Sequence, residues 1–492
     1  MTEPAASTES NLRRVVIEPL TRVEGHGKVT LLLDADGHVQ QARLHIVEFR
    51  GFEKFIEGRP YWEAPVLVQR LCGICPVSHH LAAAKAMDQI IGVSALTPTA
   101  DGLRRLMHYG QILQSHALHF FHLAAPDLLF GFEAEPARRN LVGIAAEYPD
   151  IARQGVLLRR FGQEVIRVTA GKRVHGTSAV PGGVNKRLSP AERDSLRAEL
   201  PDILTWAEAA VHLARQLYAA QATRHADFAH IDPHELCLVD ADGGMALYDG
   251  GLRARQRDGG TLFDHLPVTG YADVLREAVQ PWSYMKFPFF TALGEADGWY
   301  RVGPLARVRQ CDFIPTPRAD AARREFLAHD DGRAARATLG THWARMIELL
   351  HAAEMIACLL DDDVLLGDDL LAPATLPDTA TRVGIGVIEA PRGTLIHHYE
   401  VDADDLITRC NLIVSTTHNN SAMNAALRDV AHRYLDGNTL TEGLLNHIEV
   451  AIRAFDPCLS CATHALGKMP LQVELRDADE TLIAQHTRNR AA

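Results

Sequence analysis

The N-terminal part of the chain alternates apolar and polar residues, which is the pattern of β-strands with one buried face. Residues 29–34 and 39–49 both show this alternation, and the turn Asp34-Ala-Asp-Gly-His38 separates them. Two alternating segments joined by a short turn that contains glycine are typical of a β-hairpin. The sequence therefore predicts an N-terminal hairpin within a strand-forming stretch that spans residues 14–50.

From residue 61 to about residue 228, the apolar positions recur with the period of a helix. Pro76 stands where a helix can begin, because the first helical turn does not need its backbone N–H. Ser189 and Glu192 have the spacing of a capping box, which predicts a long helix running toward Ala226. The other helices predicted in this part span residues 97–125 and 137–170.

The rest of the chain mixes strand and helix patterns. Residues 230–317 are rich in Gly, Asp and Pro, so we expect irregular structure there. Strands are predicted at residues 383–388, 394–401, 407–415 and 471–475, and helices at 335–360 and at about 421–435 and 441–454. No repeat or low-complexity linker divides the chain. The expected fold is α+β and mainly α: one large domain with long central helices and small peripheral β-sheets and hairpins.

Composition narrows the class of protein. The 492 residues carry a net charge of −12, which argues against nucleic acid or an anionic membrane as the main partner. The longest stretch without Asp, Glu, Lys or Arg, roughly residues 106–126, contains four histidines and therefore predicts no membrane span. Residues 1–11 lack the apolar core of a signal peptide. With eight cysteines in all, we expect a cytoplasmic chain with reduced thiols.

Two C-x-x-C pairs near opposite ends of the chain are the main candidate for chemistry. One such pair alone is a weak signal, since it can be half of a zinc site, a redox dithiol or chance. Together they predict a four-thiolate metal site, because two such turns can close one sulfur cage. Sulfur ligands select zinc, nickel, copper(I) or iron clusters, so a structural zinc site satisfies the same pattern. The pairs are Cys72 and Cys75, followed by His79, and Cys458 and Cys461, followed by His464.

The residues around these pairs, 70–75 and 456–461, resemble the two signature motifs of nickel–iron hydrogenase large subunits. Further segments resemble that family in the same order along the chain: residues 21–26, 48–53, 389–393 and 412–419. The resemblance spans residues 15–464. Residues 47–55, 282–288 and 458–467 are similar to the soluble, bidirectional, NAD-reducing group within the family.

The resemblance implies a role for each cysteine of the two pairs. Cys72 and Cys458 would bind nickel as terminal thiolates, and Cys75 and Cys461 would bridge nickel to iron. The iron would also carry CO and cyanide ligands. The implied activity is the reversible, heterolytic cleavage of H2, with NAD+ as the final electron acceptor.

The resemblance also implies catalytic residues around the metals. The Cys458 sulfur would accept the proton first and Glu24 would accept it next. Arg392 would lie above the open metal position, oriented by Asp456. From the residues alone, Glu24 would be a hydrogen-bonded turn carboxylate, and Arg392 a surface charge on a hairpin.

Two further side chains are implied as supports of the metal pair. His79 would hydrogen-bond a bridging sulfur, and the Thr416 hydroxyl would donate to a cyanide ligand. Many family members carry an Asp where this chain has Ser115, so any role of that acid is in doubt here.

His116, His119 and His122 repeat every third residue on a predicted helix. They suggest either a proton path or, as the better interpretation, buried histidines that are hydrogen-bonded.

The resemblance also implies a second, hard cation and a C-terminal tail that is removed during maturation. The cation, usually Mg2+, would be bound by Glu53, the Leu412 carbonyl and His464. A maturation protease would cut after His464, leaving residues 1–464 as the mature hydrogenase domain and removing residues 465–492. The alternative for the tail is an ordinary terminal β-segment.

The chain has no further cysteine set for iron–sulfur clusters and no convincing dinucleotide-binding fingerprint. The resemblance therefore implies a heteromultimer with a small subunit that carries iron–sulfur clusters and with diaphorase subunits that carry FMN, further clusters and the NAD site. One alternative couples the same nickel–iron core to NADP or a deazaflavin. Others are a structural zinc protein and a quinone-reductase-type relative, although such relatives lack the four cysteines.

Overall fold

The computed structural model describes residues 13–49, 51–435, 441–462, 471–476 and 482–488. Helices dominate this part of the chain. Eight of them have at least eight residues within the described ranges: α1 (Pro76–Ile90), α2 (Pro98–Leu118), α3 (Pro149–Ala170), α4 (Pro190–Ala219), α5 (Pro317–Ala328), α6 (Thr341–Asp361), α7 (Asn420–Val430) and α8 (Glu442–Ala454).

The strands form small sheets and hairpins rather than one large sheet. The three-stranded sheets have the orders β1-β2-β3 and β12-β13-β14, the four-stranded sheet has the order β11-β6-β7-β8, and β4–β5, β9–β10 and β15–β16 pair as hairpins. The strands are β1 (Arg13–Ile17), β2 (Gly27–Leu33), β3 (Val39–Ile46), β4 (Ala179–Val180), β5 (Gly183–Val184), β6 (His234–Val239), β7 (Gly251–Arg255), β8 (Thr261–Leu266), β9 (Leu275–Ala278), β10 (Phe287–Phe290), β11 (Tyr300–Arg301), β12 (Arg382–Ala390), β13 (Gly393–Val401), β14 (Ile407–Ile413), β15 (Leu471–Arg476) and β16 (Leu482–Arg488). The expected α+β, mainly α fold is confirmed.

The central helices α2, α3, α4 and α6 pack around the largest hydrophobic core. Helix α6 is apolar around most of its circumference, which is why nearly all of its residues are buried. Helix α4 begins with the predicted capping box: the Ser189 hydroxyl accepts from the Glu192 N–H, and the Glu192 carboxylate accepts from the Ser189 N–H. These helices provide the rigid body on which the cysteine-bearing segments rest.

Helix α1 carries the first cysteine pair at its start and lies directly on strand β12. Gly384 and Gly386 make this contact possible, because a Cβ at either position would lie about 2 Å from a carbonyl oxygen of α1 (2.1 Å from Ala86 and 1.8 Å from Ala82). The β12–β13 hairpin turns at residues 390–393, as the sequence predicts. Helix α1, which follows the first cysteine pair, and the hairpin turn at residues 390–393 are therefore held close to each other.

The N-terminal segment also meets the segment around Cys458. Glu24 forms a parallel bridge with Cys458, and the Leu459 N–H donates to the Glu24 carbonyl (2.9 Å). Asp127 lies buried between Arg22 (2.6 Å) and Arg453, so an ion-paired cluster ties the N-terminal segment to α8. The N-terminal segment is thus joined to the segment that carries the second cysteine pair through main-chain and ionic contacts.

Several predicted elements differ from the structure. Residues 230–317 are not irregular, since they contain β6 to β11 and the helix Pro304–Gln310; the fully buried β6 shows no alternation that would reveal it. The predicted helix over residues 97–125 passes into a π-helical turn at His119–Ala124, and the one over residues 137–170 is interrupted before Pro149. No helix among the described residues is long and apolar enough to cross a membrane.

Candidate metal centre

Four buried sulfur atoms from two distant segments of the chain converge in one place. Cys72 Sγ lies 3.1 Å from Cys75 Sγ and 3.2 Å from Cys458 Sγ, and Cys458 Sγ lies 2.9 Å from Cys461 Sγ. All four ligand atoms lie within 4.8 Å of one another, and no cysteine of the chain is in a disulfide. The structure therefore brings the two predicted pairs into one four-sulfur cluster.

The local backbone of each pair aims its sulfurs inward. The N–H groups of Ile74 (3.2 Å) and Cys75 (3.1 Å) donate to Cys72 Sγ, and Cys75 stands directly before the first turn of α1. Main-chain N–H groups at a helix start favour the thiolate over the thiol. On the other side, Cys461 lies in the 3-10 turn Leu459–Ala462, and its thiol donates to the Leu71 carbonyl (3.4 Å).

The electrostatics of the cluster fit a metal ion. Hydrogen bonds from Cys458, Cys461 and Cys72 hold the pKa of the Cys75 thiol well below its usual value. Burial, together with the neighbouring sulfurs, raises the pKa of Cys458 and of Cys461 well above theirs. Cys75 therefore favours the thiolate, whereas Cys458 and Cys461 favour the thiol until a metal cation binds and favours the thiolate at its ligands. A donor set of four sulfurs selects a soft metal such as nickel or iron.

Glu24 is the carboxylate that contacts this cluster. Its Oε2 accepts from Cys458 Sγ (3.0 Å) and from the Ser460 N–H (3.2 Å), and its Oε1 accepts from the Ser460 hydroxyl. Gly25 allows the close approach, since its φ is +80° and a Cβ there would lie 2.6 Å from Ser460 N. Glu24 is half-buried, so it stands between a buried sulfur and the surface. Ser460 is a contact that the sequence did not predict.

Arg392 reaches the same place from the β12–β13 turn. Its Nε donates to the Asp456 carbonyl (2.6 Å), and its Nη2 donates to the Asp456 carboxylate (3.1 Å). The third contact, from Nη1 to the Ser115 hydroxyl, is long at 3.5 Å. Arg392 and Asp456 are both buried, and the negative charges of Asp456 and of nearby thiolates outweigh burial and raise the pKa of Arg392. A fixed guanidinium cation therefore lies beside the sulfurs.

His79 and Thr416 also lie at the centre. His79 lowers the pKa of the Cys75 thiol, and its Nδ1 is 3.1 Å from His397 Nε2. The Thr416 hydroxyl oxygen accepts from the Cys458 N–H (2.9 Å), which leaves its own proton available to another acceptor. A small cavity is lined by Cys75, His79, Ala390, Arg392, Leu395, Val414, Ser415, Thr416 and Cys458.

A second polar site lies around Glu53. Glu53 Oε1 accepts from the Leu412 N–H (2.8 Å), and burial raises the pKa of Glu53. Glu277 and Lys286 line the same small cavity, and their side chains form a 3.1 Å ion pair. Two carboxylates against one ammonium leave a net negative charge, which suits a hard cation. His464 lies outside the described residues.

Of the three histidines of α2 and the π-helical turn, His116 and His119 are buried and His122 is half-buried. His116 contacts Glu348 (2.9 Å), and His119 donates to the Arg453 carbonyl (2.8 Å) and stacks on His342. Burial lowers the pKa of all three rings, that of His116 to about 4. At neutral pH they are therefore uncharged, in keeping with buried, hydrogen-bonded histidines rather than with a chain of charged proton carriers.

Fold and site together define a metalloenzyme with a buried, sulfur-ligated centre beside an arginine and a carboxylate. The family model for nickel-dependent hydrogenases matches residues 50–140 and 242–464, and a HoxL-like model matches residues 14–49. The chain belongs to the nickel-dependent hydrogenase family.

The similar proteins agree with this assignment. The chain is 48% identical to the NAD-reducing hydrogenase HoxS subunit beta of Cupriavidus necator, over 97% of this chain and 100% of that one. It is 41% identical to an F420-non-reducing hydrogenase chain of Methanothermobacter thermautotrophicus, over 96% and 99%. A crystal structure of an NAD+-reducing [NiFe]-hydrogenase in the H2-reduced state is 62% identical and superposes with a TM-score of 0.90, covering 92% of this chain and 100% of that one. A structural zinc protein is therefore not favoured.

Proposed function

We propose that this chain is the catalytic subunit of an NAD-linked hydrogenase, which cleaves H2 reversibly and heterolytically and passes the electrons through partner subunits to NAD+. The observation that carries the proposal is the convergence of four buried sulfurs beside Arg392 and Glu24. The similarity to the NAD-reducing hydrogenase of Cupriavidus necator and to the solved NAD+-reducing enzyme favours NAD+ as the acceptor.

In this proposal the cysteines hold a nickel–iron pair. Cys72 and Cys458 would bind nickel, Cys75 and Cys461 would be shared between nickel and iron, and the iron would also carry CO and cyanide. When bound, the metal pair supplies the heterolytic splitting of H2. Ala390, Leu395 and Val414 form an apolar part of the cavity wall, and the small size of the cavity limits water at the cluster.

The protein side chains would then handle the proton and the charge. The Cys458 sulfur takes the proton and Glu24 receives it across the 3.0 Å contact. Because Glu24 is half-buried, it can release the proton toward solvent. Arg392, held through two contacts with Asp456, stabilises the negative charge of the thiolates. His79 and Thr416 would orient Cys75 and a cyanide ligand, respectively.

The second cation of the proposal is Mg2+ at Glu53. Glu53, the Leu412 carbonyl and His464 are the proposed ligands. The neighbouring Glu277 adds a further negative charge to that side, and Lys286 offsets part of it. The proposed maturation cut lies directly after His464, so residues 465–492 would be absent from the active chain. An intact mass that includes residue 492 in the active enzyme would reject the cut.

Electron transfer requires partners, which we propose to be a small subunit with iron–sulfur clusters and diaphorase subunits with FMN and the NAD site. Five of the exposed large apolar side chains lie in the segment just before Cys72, and we assign them to the contact with the small subunit. They are Val47, Phe49, Phe55, Trp62 and Val66. We further propose that the complex works in the cytoplasm, where reduced thiols persist.

The proposed contact can be tested by substitution. Trp62→Asp should remove the small subunit from the purified complex, because it places a charge in an apolar contact. Val142→Asp is the matched control, since Val142 is equally apolar, is 78% exposed and lies on a different segment. If the Trp62 variant and the control retain equal amounts of the small subunit, the contact lies elsewhere.

Two measurements on the purified complex test the function itself. Infrared spectroscopy should show CO and cyanide stretches, and elemental analysis should give nickel. H2-dependent reduction should be fastest with NAD+ when NAD+, NADP+ and a deazaflavin are compared. The absence of both bands from active protein would overturn the proposed centre, whereas a preference for NADP+ or the deazaflavin would overturn only the acceptor.

A further inference from the structure

One buried arginine near the metal centre has no role in the chemistry described above. Arg345 lies on α6 and is fully buried. Its Nη1 donates to His342 Nδ1 (3.2 Å), its Nη2 donates to the Ala454 carbonyl (3.0 Å), and its Nε has no hydrogen-bond partner among the described residues. No described carboxylate lies within ion-pair distance of it. A buried charge without a direct counter-ion is costly, so its presence calls for a physical reason.

The first reason is that Arg345 caps the C-terminal end of helix α8. The last carbonyls of a helix have no partner within it, and a cation there also meets the negative end of the helix dipole. His119 Nε2 donates to the carbonyl of Arg453 (2.8 Å), and Arg345 donates to the carbonyl of Ala454, the last residue of α8. Two side chains from other helices therefore cap the helix that leads into the second cysteine pair.

The second reason is that Arg345 balances the charge of a buried group of ion-paired side chains near the cysteines. Arg307 is shared by two carboxylates, Glu348 (2.6 Å) and Glu389 (2.7 Å), while Arg392 pairs with Asp456 (3.1 Å). Without Arg345 this buried group would carry one excess negative charge; with it, three cations face three anions. His116, the other titratable group in contact with Glu348, is neutral at pH 7 because burial lowers its pKa to about 4.

Asp456 connects these two features to the centre. It follows α8 in a left-handed conformation (φ +52°) and stands two residues before Cys458. Both its carbonyl and its carboxylate hold Arg392, and its charge also attracts Arg345.

We propose that Arg345 is a positioning residue for the metal centre: it caps helix α8 and attracts Asp456, and thereby fixes the segment that anchors Arg392 and delivers Cys458. This inference rests on the proposed function for its effect on the metals, but not for its effect on the segment. The Arg392 guanidinium keeps its place beside the sulfurs because the chain that holds it cannot shift away from α6.

Hydrogen–deuterium exchange of the purified complex tests the effect on the segment. Arg345→Met should speed exchange at residues 455–459 on the order of tenfold, because the segment loses its cap and its attracting charge. Arg323→Met is the matched control. Arg323 is likewise buried and donates only to main-chain carbonyls, those of Val308, Cys311 and Asp312.

The control should speed exchange near residues 309–313 and leave residues 455–459 unchanged. If Arg345→Met speeds exchange at 455–459 no more than Arg323→Met does, the proposal is wrong. Should Arg345→Met fail to fold, Arg345→Gln decides, since it keeps a donor for Ala454 but no charge. It should give a smaller increase at the same residues, and unchanged exchange there would overturn the proposal.

Infrared spectra of the same variants test the effect on the metals. Loss of a nearby positive charge should leave more electron density on iron and shift the CO stretch of Arg345→Met to lower wavenumber, with Arg323→Met unchanged. If the infrared bands are unchanged but hydrogen–deuterium exchange is faster, Arg345 stabilises only the end of α8, and its proposed effect on the metal centre is wrong. If the wild-type complex shows no CO or cyanide bands, the proposed function fails, while the exchange result still decides the role of Arg345.

Discussion

At the scale of single residues, the site depends on side chains that contact a buried sulfur and are themselves partly exposed to solvent. Glu24 is the clearest case, because one oxygen contacts Cys458 Sγ and the Ser460 N–H while the side chain remains half-exposed. The Ser460 contacts fix its orientation. A carboxylate in this position can accept a proton at one oxygen and lose it to water at the other.

Replacing Glu24 should therefore stop proton transfer without emptying the centre. Glu24→Gln keeps the hydrogen-bonding shape but cannot carry a proton as a carboxylic acid, so we expect H2 oxidation and H/D exchange to fall by about 100-fold or more. Nickel content should remain that of the wild type. Glu48→Gln, a carboxylate on the same N-terminal segment that pairs with the exposed His26, serves as the control. Wild-type H/D exchange in Glu24→Gln would exclude Glu24 from the proton route.

Glu348 gives a residue-level prediction for acid stability. Burial would raise its pKa, but Arg307 and His116 outweigh burial and lower the pKa to about 2. A carboxylate with a depressed folded-state pKa contributes stability above its unfolded pKa of 4.5 and loses it as the pH falls toward 2. For the metal-free chain, the loss of unfolding free energy between pH 6 and pH 4 should be about 1 kcal/mol smaller in Glu348→Gln. Equal pH dependence in urea titrations of both chains would contradict this.

At the scale of elements, the centre is built where helix α1 meets the β12–β13 hairpin. Helix α1 begins right after Cys75, and the hairpin turn presents Arg392. Their separation is set by Gly384 and Gly386, which leave no room for a side chain beneath α1. The cysteine pair before α1 and the guanidinium at the hairpin turn are thus held at one distance.

Gly386→Ala should move these two elements apart. The added Cβ would lie 1.8 Å from the Ala82 carbonyl oxygen, so the helix must shift, and overpacking of this kind costs about 1 to 3 kcal/mol. We expect a lower melting temperature and less nickel in the purified chain. Gly270→Ala is the control, since a Cβ there meets the Leu266 side chain only at 3.6 Å. Full nickel loading in Gly386→Ala would show that α1 and β12 need not be this close.

The sequence predicted elements whose signals are local. Pro76 marked the start of α1, and Ser189 with Glu192 marked the start of α4, because capping chemistry acts within one turn. The sequence did not predict the π-helical turn at His119–Ala124 or the buried strand β6, since both depend on packing against distant segments. For the site, the motifs predicted which cysteines would meet. They did not predict Arg345, whose importance lies in its contact with Ala454, more than a hundred residues away.

At the scale of the whole molecule, the centre exists only because Cys72 and Cys458, 386 residues apart in the chain, come together. The main-chain contacts between Glu24 and residues 458–459 are few, and a buried ionic cluster around Asp127 supports them. Asp127 contacts Arg22 from the N-terminal segment and Arg453 from α8, and it also accepts from Asn446. Burial opposes its charge, yet the two arginines keep the pKa of Asp127 below its usual value.

Asp127→Asn should therefore weaken the contact between the N-terminal segment and α8. Removing the Asp127 charge leaves Arg22 without its counter-charge and Arg453 with Glu449 alone, and breaking a buried ion pair in this way costs about 3 to 5 kcal/mol. Urea unfolding of the metal-free chain measures this loss. The same variant should load less nickel, because Cys458 and Cys461 follow α8 and reach Cys72 and Cys75 only when α8 is docked on the N-terminal segment. Glu147→Gln, which breaks the exposed pair with Arg138, should change neither quantity. Stability and nickel content must fall together in Asp127→Asn; a destabilised variant that loads nickel fully would show that the four sulfurs can assemble without this ionic cluster.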